Sequence, residues 1–149
     1  MHIFLCKRER HIEKRNGRIW GWEGDGGLAA FYFQDKNVNA ALSAIEIILD
    51  LFFYNQFKCR LNEPLQARIA IHTGQCQFFQ DLKRMQNDIL RSLEVLESEY
   101  TLPNTITLSP SVYHDLGSKL ENCFIPIEIK KGHYIYRYNL IWEDVVESR

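Results

Sequence analysis

The stretch Gly17–Phe33, GRIWGWEGDGGLAAFYF, sets one carboxylate, Asp25, among three glycines, Gly24, Gly26 and Gly27. Glycine reaches positive φ at no steric cost, so a tight turn by itself explains the glycines. A turn that lets a phosphate or a divalent ion come close to the backbone explains both the glycines and the acid. Asp and Gly are also good turn residues in their own right, so the turn reading stands beside the ligand reading. Other chemistry-bearing residues are scattered. The four cysteines, Cys6, Cys59, Cys76 and Cys123, show no CxxC or CxxH spacing. They read as reduced thiols rather than as a zinc site or a disulfide frame, which fits a cytoplasmic setting. His72 has no carboxylate in view and reads as a surface or interface residue rather than a catalyst.

These residues need elements to hold them. Residues 1–15 are dense in charge (CKRERHIEKR) and suit an exposed helix stopped at Asn16-Gly17. The stretch around Asp25 reads as a β-hairpin. Ile19 and Gly21 face one side, Trp20 and Trp22 the other, and Phe31 and Phe33 share a side; these aromatics read as sheet-face core. Asp35 suits the N-cap of a long helix striped by Val38, Leu42, Ile45, Leu49 and Phe52. QARIAIHTG is a strand with Ala67, Ile69 and Ile71 on one face and Arg68, Ala70 and His72 on the other. Leu82, Met85, Ile89, Leu93 and Leu96 mark a second amphipathic helix. NTITL is a short strand, and Ser109-Pro110 is a helix start with Ser109 as cap. IPIEIKKGHYIYRYNL reads as two strands hinged at Lys131-Gly132, whose tyrosines 134, 136 and 138 are explained by packing.

The order predicts a single α+β domain over residues 1–149, ferredoxin-like, with a mixed or antiparallel sheet and its helices, including 36–56 and 82–99, on one face. A helix-first start is unusual for such a sheet and leaves its usual first strand missing. With 46% apolar and 25% charged residues, the composition is that of an ordinary globular chain. A net charge of −1 supplies no global field toward nucleic acid or anionic lipid. No apolar run reaches the ~18 residues of a membrane span, and no signal-peptide pattern opens the chain. Neither a nucleic-acid partner nor a membrane is expected.

The hairpin GRIWGWEGDGGLAAF, the strand ARIAIHTG, the strand–helix ITLSPSVYHDL and the terminal KKGHYIYRY occur in one order at ordinary separations. In that order they resemble the class III adenylate/guanylate cyclase catalytic domain over most of residues 10–140. The resemblance implies conversion of a nucleoside triphosphate to a cyclic monophosphate by attack of the ribose 3′-hydroxyl on the α-phosphate. Two divalent ions, Mg²⁺ or Mn²⁺, would assist, held by two carboxylates. It implies Asp25 as one metal carboxylate, Gly24, Gly26 and Gly27 as the close approach to phosphate, and Lys131 (or Lys130) as a triphosphate contact. A homodimer is also implied, because the family builds its sites across the subunit interface. Three departures stand beside these matches. The first metal carboxylate belongs to a strand before the hairpin, in a segment this sequence does not contain. Gly21 occupies the base-selecting position, four residues before Asp25. The window DILRSLEVLE holds no Asn and Arg four apart, the pair that contacts ribose and phosphate, although Arg91 stands nearby. Activity is therefore expected to be small or absent. A non-catalytic, dimerising or nucleotide-sensing domain is the alternative.

Overall fold

The computed structural model describes residues 10–23, 26–57, 65–74 and 88–139. Helical residues 10–14 (α1) end at Asn16, which takes φ 64°, so Asn rather than Gly17 makes the left-handed cap. Gly17 matters for space. A Cβ there would lie 2.6 Å from both Ile12 and Phe31, so only glycine lets α1 turn into the strand so closely. β1 (Gly17–Glu23) and β2 (Gly26–Phe31) pair antiparallel. Their register shifts between Ile19 and Gly21, so Trp20 is the extra residue of a bulge and the expected strict alternation breaks there.

Asp35, at φ 59°, turns the chain into the long helix α2 (Lys36–Phe57), and its carbonyl accepts the first bond from Asn39 N at 2.9 Å. β3 (Arg68–Ile71), α3 (Asp88–Tyr100), β4 (Thr105–Leu108), the short helices α4 (Pro110–Tyr113) and α5 (Ser118–Glu121), β5 (Phe124–Lys130) and β6 (His133–Tyr138) follow. The last four strands form a mixed sheet in the order β3-β4-β6-β5, with β3 parallel to β4 and the rest antiparallel. Among the described residues the β1–β2 ladder is a separate sheet, and α2 packs against β2, β3 and β4 alike.

The α+β class and the mixed sheet are as the sequence implies, but the helices do not share one face. Ile106 and Leu108 of β4 join Ala41, Ala44 and Ile48 of α2 in the buried core, with Ile69, Ile71, Tyr136 and Tyr138 packed against it. The alternate residues meet α3 instead. Thr107 Oγ1 lies 3.5 Å from the Tyr100 carbonyl oxygen, Arg68 pairs with Glu97 at 3.0 Å, and Ile135 shares a groove with Leu96 and Tyr100. Residue parity along a strand puts these two sets on opposite faces, so α3 lies on the face opposite α2. The physical reason is the parallel β3–β4 pair. Its crossover must carry a helix over the sheet, and α2 already covers the other face. All of β4 is buried, as a strand covered on both sides requires.

α2 is the one described helix long and apolar enough to cross a membrane by length and composition. Its Ala41, Ile48 and Leu51, each at most 1% exposed, lie instead within the folded domain. Phe33 departs from the expected sheet core: it is 59% exposed, tilted against Tyr32 with ring centroids 4.8 Å apart.

Candidate functional site

The hairpin pairs Glu23 with Gly26, so Gly24 and Asp25 are the two residues between β1 and β2; both lie outside the described residues. Gly26 and Gly27 are in β2 and exposed. Gly21, at the position the resemblance assigns to base selection, follows the bulge and pairs with Leu28.

The base of the hairpin is held to α2 by charge. His11 of α1 has both ring nitrogens against carboxylates, Nδ1 to Glu46 at 2.7 Å and Nε2 to Asp50. Arg15 Nε donates to Glu46 at 3.1 Å, and Ser43 Oγ donates to the His11 carbonyl at 3.1 Å. Burial would raise the Glu46 pKa, but hydrogen bonds from Arg15 and His11 and the positive charges of Arg15 and Lys14 hold the carboxyl below its ordinary 4.5.

Arg91 is exposed on α3, and it lines a cleft of about 330 Å³ with Ser92, Val95, Leu96 and Tyr100 of α3 and Ile129 and Ile135 of the β5–β6 hairpin. Lys131 sits, exposed, in the turn of that hairpin, two residues beyond Ile129. The fold thus brings Arg91 to the hairpin that carries Lys131. Arg137, on the same face of β6 as Ile135, has its Nε buried without a hydrogen-bond partner among the described residues.

One residue pair was overlooked in sequence. Asn87 stands four residues before Arg91, immediately ahead of α3. The Asn–Arg spacing of the resemblance is therefore present in the sequence, one residue upstream of DILRSLEVLE, and Asn87 itself lies outside the described residues.

His72 is not a free surface histidine. Its Nδ1 is 2.8 Å from Ser109 Oγ, and burial lowers its pKa below the ordinary 6.5. Ser109 is the N-cap of α4 ahead of Pro110, as expected, but its side chain makes no cap bond. Its hydroxyl is engaged instead with His72 and with Ser111 Oγ, at 3.3 Å.

Among the described residues no three His, Cys, Asp or Glu side chains converge in a way that could hold a metal ion. A hard divalent cation needs several oxygen ligands. The described part of the chain does not supply that set, so no chemical step is assigned to an ion.

Comparison with solved structures identifies the architecture. The adenylate/guanylate cyclase/hydrolase from Silicibacter pomeroyi superposes with a TM-score of 0.74 at 23% identity, covering 94% of this chain and 83% of that one. The guanylate cyclase domain of RhGC from Catenaria anguillulae, solved in complex with GTP, gives 0.72 at 18% identity over 93% of this chain and 80% of the other. A monomeric double mutant of the guanylyl cyclase domain of the RhoGC fusion protein from Blastocladiella emersonii gives 0.70 at 18% identity, over 93% and 78%. No protein-family model matches the chain, and no curated protein does. The fold is that of the class III nucleotidyl cyclase catalytic domain.

Proposed function

We propose that the chain is a cyclase-type domain that binds a nucleoside triphosphate and has little or no cyclisation activity in the sequence given. The observation that carries the reading is the shared cleft of Arg91 and the β5–β6 hairpin on a cyclase fold. In this reading Arg91 and Lys131 meet the phosphates, Asn87 orients the ribose, and Gly26 and Gly27 leave room for phosphate at the hairpin. The structural neighbour solved with GTP supports a triphosphate as the ligand class.

The phosphate side is well supplied, and the metal side holds one candidate carboxylate, Asp25, whose partner ion would be Mg²⁺ or Mn²⁺. Mg²⁺ commonly uses one or two carboxylates plus substrate oxygens, so binding survives the loss of one ligand better than chemistry does. Each missing electrostatic stabiliser costs roughly 10²-fold in rate. A homodimer belongs to the same reading, since Asp25 and Arg91 would then complete each other's sites across two copies. Sedimentation at micromolar concentration checks it, and a strictly monomeric protein in the presence of nucleotide removes it. A cytoplasmic setting also belongs here.

Calorimetry with GTP and ATP and each cation is the test of binding. Millimolar or tighter binding that weakens several-fold in Asp25→Asn, in a protein that still folds, supports the reading. No binding at millimolar nucleotide overturns it. Cyclic product at the usual enzyme median of ~10 s⁻¹ overturns the claim of low activity.

A further inference from the structure

His72 and Ser109 lie one residue past the ends of the parallel strands, continuing the register that pairs Ile71 with Leu108. Both fall, by alternation from Arg68 and Thr107, on the face that α3 covers. Ser109 N also donates to the Ile71 carbonyl at 3.1 Å. Main chain and side chain therefore fasten the exit of β3 to the exit of β4 at one point. The exit then runs directly into a tight seat for α3. At Gly74 a Cβ would lie 2.2 Å from Ile89 Cδ1, so the chain just beyond His72 touches the first turn of α3, two residues before Arg91. The other end of α3 is tied by Arg68–Glu97. That pair is exposed on both sides and contributes little.

We propose that His72 is a positioning residue: its hydrogen bond to Ser109 locks the β3 exit to β4 and thereby seats the first turn of α3, the turn that carries Arg91. The neutral ring accepts the Ser109 proton at Nδ1, and the hydroxyl oxygen remains free to accept from Ser111. Burial is what disfavours the charged ring. What faces Nδ1 from β4 and α4 is Ser109 and, behind it, Ser111. A protonated imidazole in that setting is drawn toward water, so the lock loosens as pH falls below the ordinary histidine value of 6.5. The latch is thus an acid-sensitive control on α3. Only its effect on nucleotide rests on the function proposed above.

Amide hydrogen exchange on the full chain, expressed as protection factors, decides the point without reference to any ligand. At about pH 7.5, His72→Ala is expected to lower protection across 88–100 by roughly two- to twelve-fold, the worth of one hydrogen bond, with β5 and β6 unchanged. His72→Asn keeps a hydrogen-bonding atom near the Nδ1 position without a titrating ring, and it restores protection. The native chain is expected to lose protection in the same segment at about pH 5.5, and the His72→Asn protein is not. Ser109→Ala gives the second route. Combined with His72→Ala, it adds less than the sum of the two, as partners in one bond must. The proposal is overturned if His72→Ala leaves 88–100 as protected as before, or if protection falls equally throughout the chain. A native chain insensitive to pH in this segment removes the acid control. GTP titration of the same proteins reads the link to Arg91. Loss of affinity in His72→Ala with recovery in His72→Asn supports it, and unchanged affinity with altered exchange refutes it. Absence of binding in the native chain counts against the proposed function, while the exchange result still stands or falls by itself.

Discussion

The β1–β2 hairpin and the four-stranded sheet both pack on α2, but the hairpin has a cluster of charged side chains at its base that the sheet lacks among the described residues. The sheet is held by packing: Ile106 and Leu108 of β4 are fully buried in one core with α2 and with Val112 of α4. The hairpin carries exposed glycines at its tip and an exposed Tyr32–Phe33 pair at its other end. Its base is fixed through His11, Arg15, Glu46 and Asp50. Apolar burial is non-directional and is not screened by ionic strength, whereas a partly exposed charge cluster responds to pH, ionic strength and single substitutions. The hairpin that carries Gly26 and Gly27 therefore answers to pH, ionic strength and single substitutions in a way that the packed core of the sheet does not.

The strongest challenge to this contrast is a core deletion. Leu108→Ala is expected to cost about 2–5 kcal/mol and to lower the denaturant midpoint for the whole chain. A change confined to the hairpin would break the comparison. Next in size is the charged base. His11→Ala or Glu46→Gln is expected to cost about 1–2 kcal/mol, read as faster exchange in β1 and β2 while β4 stays protected.

The sign of the pH effect separates the units further. A depressed carboxyl pKa gives stability that is present above the unfolded value and lost as pH falls, so Glu46 weakens the hairpin base below about pH 4.5. His72, depressed below 6.5, withdraws its contribution earlier on the same descent. A pH series by hydrogen exchange should show α3 loosening before the hairpin, and the reverse order would contradict both assignments. The smallest effect belongs to the exposed Arg68–Glu97 pair, where Arg68→Gln is expected to change the unfolding free energy by less than about 0.5 kcal/mol.

The stripe Val38, Ile45 and Leu49 identified α2 because a helix core repeats at three and four residues, and NTITL and KKG were legible as strand and turn for equally local reasons. An apolar stripe says that a helix has a buried side. It does not say which face of a sheet receives it, so the opposite placement of α3 could not be read from Leu93 and Leu96. The bulge at Trp20 was hidden because Ile-Trp-Gly-Trp alternates as well as a regular strand does. The Asn87–Arg91 spacing is legible in the sequence itself, one residue upstream of DILRSLEVLE. The His72–Ser109 bond was not legible. Its partners are 37 residues apart, and only the parallel register of β3 and β4 brings them together.

That parallel pairing also fixes an order of events during synthesis and refolding. β1 and β2 join across two residues, a closure of the kind completed on the order of 1–10 μs. Among the described residues β3 pairs with β4 alone, so it waits until Thr105 has emerged and the intervening chain has closed, because Arg68 registers with Thr105. For that interval the apolar segments RIAI and TITL both have unsatisfied edges. Such pairs are aggregation-prone while they wait. The step most exposed to chaperones, concentration and temperature is therefore the docking of β3 on β4, while the glycine-rich hairpin forms early and locally.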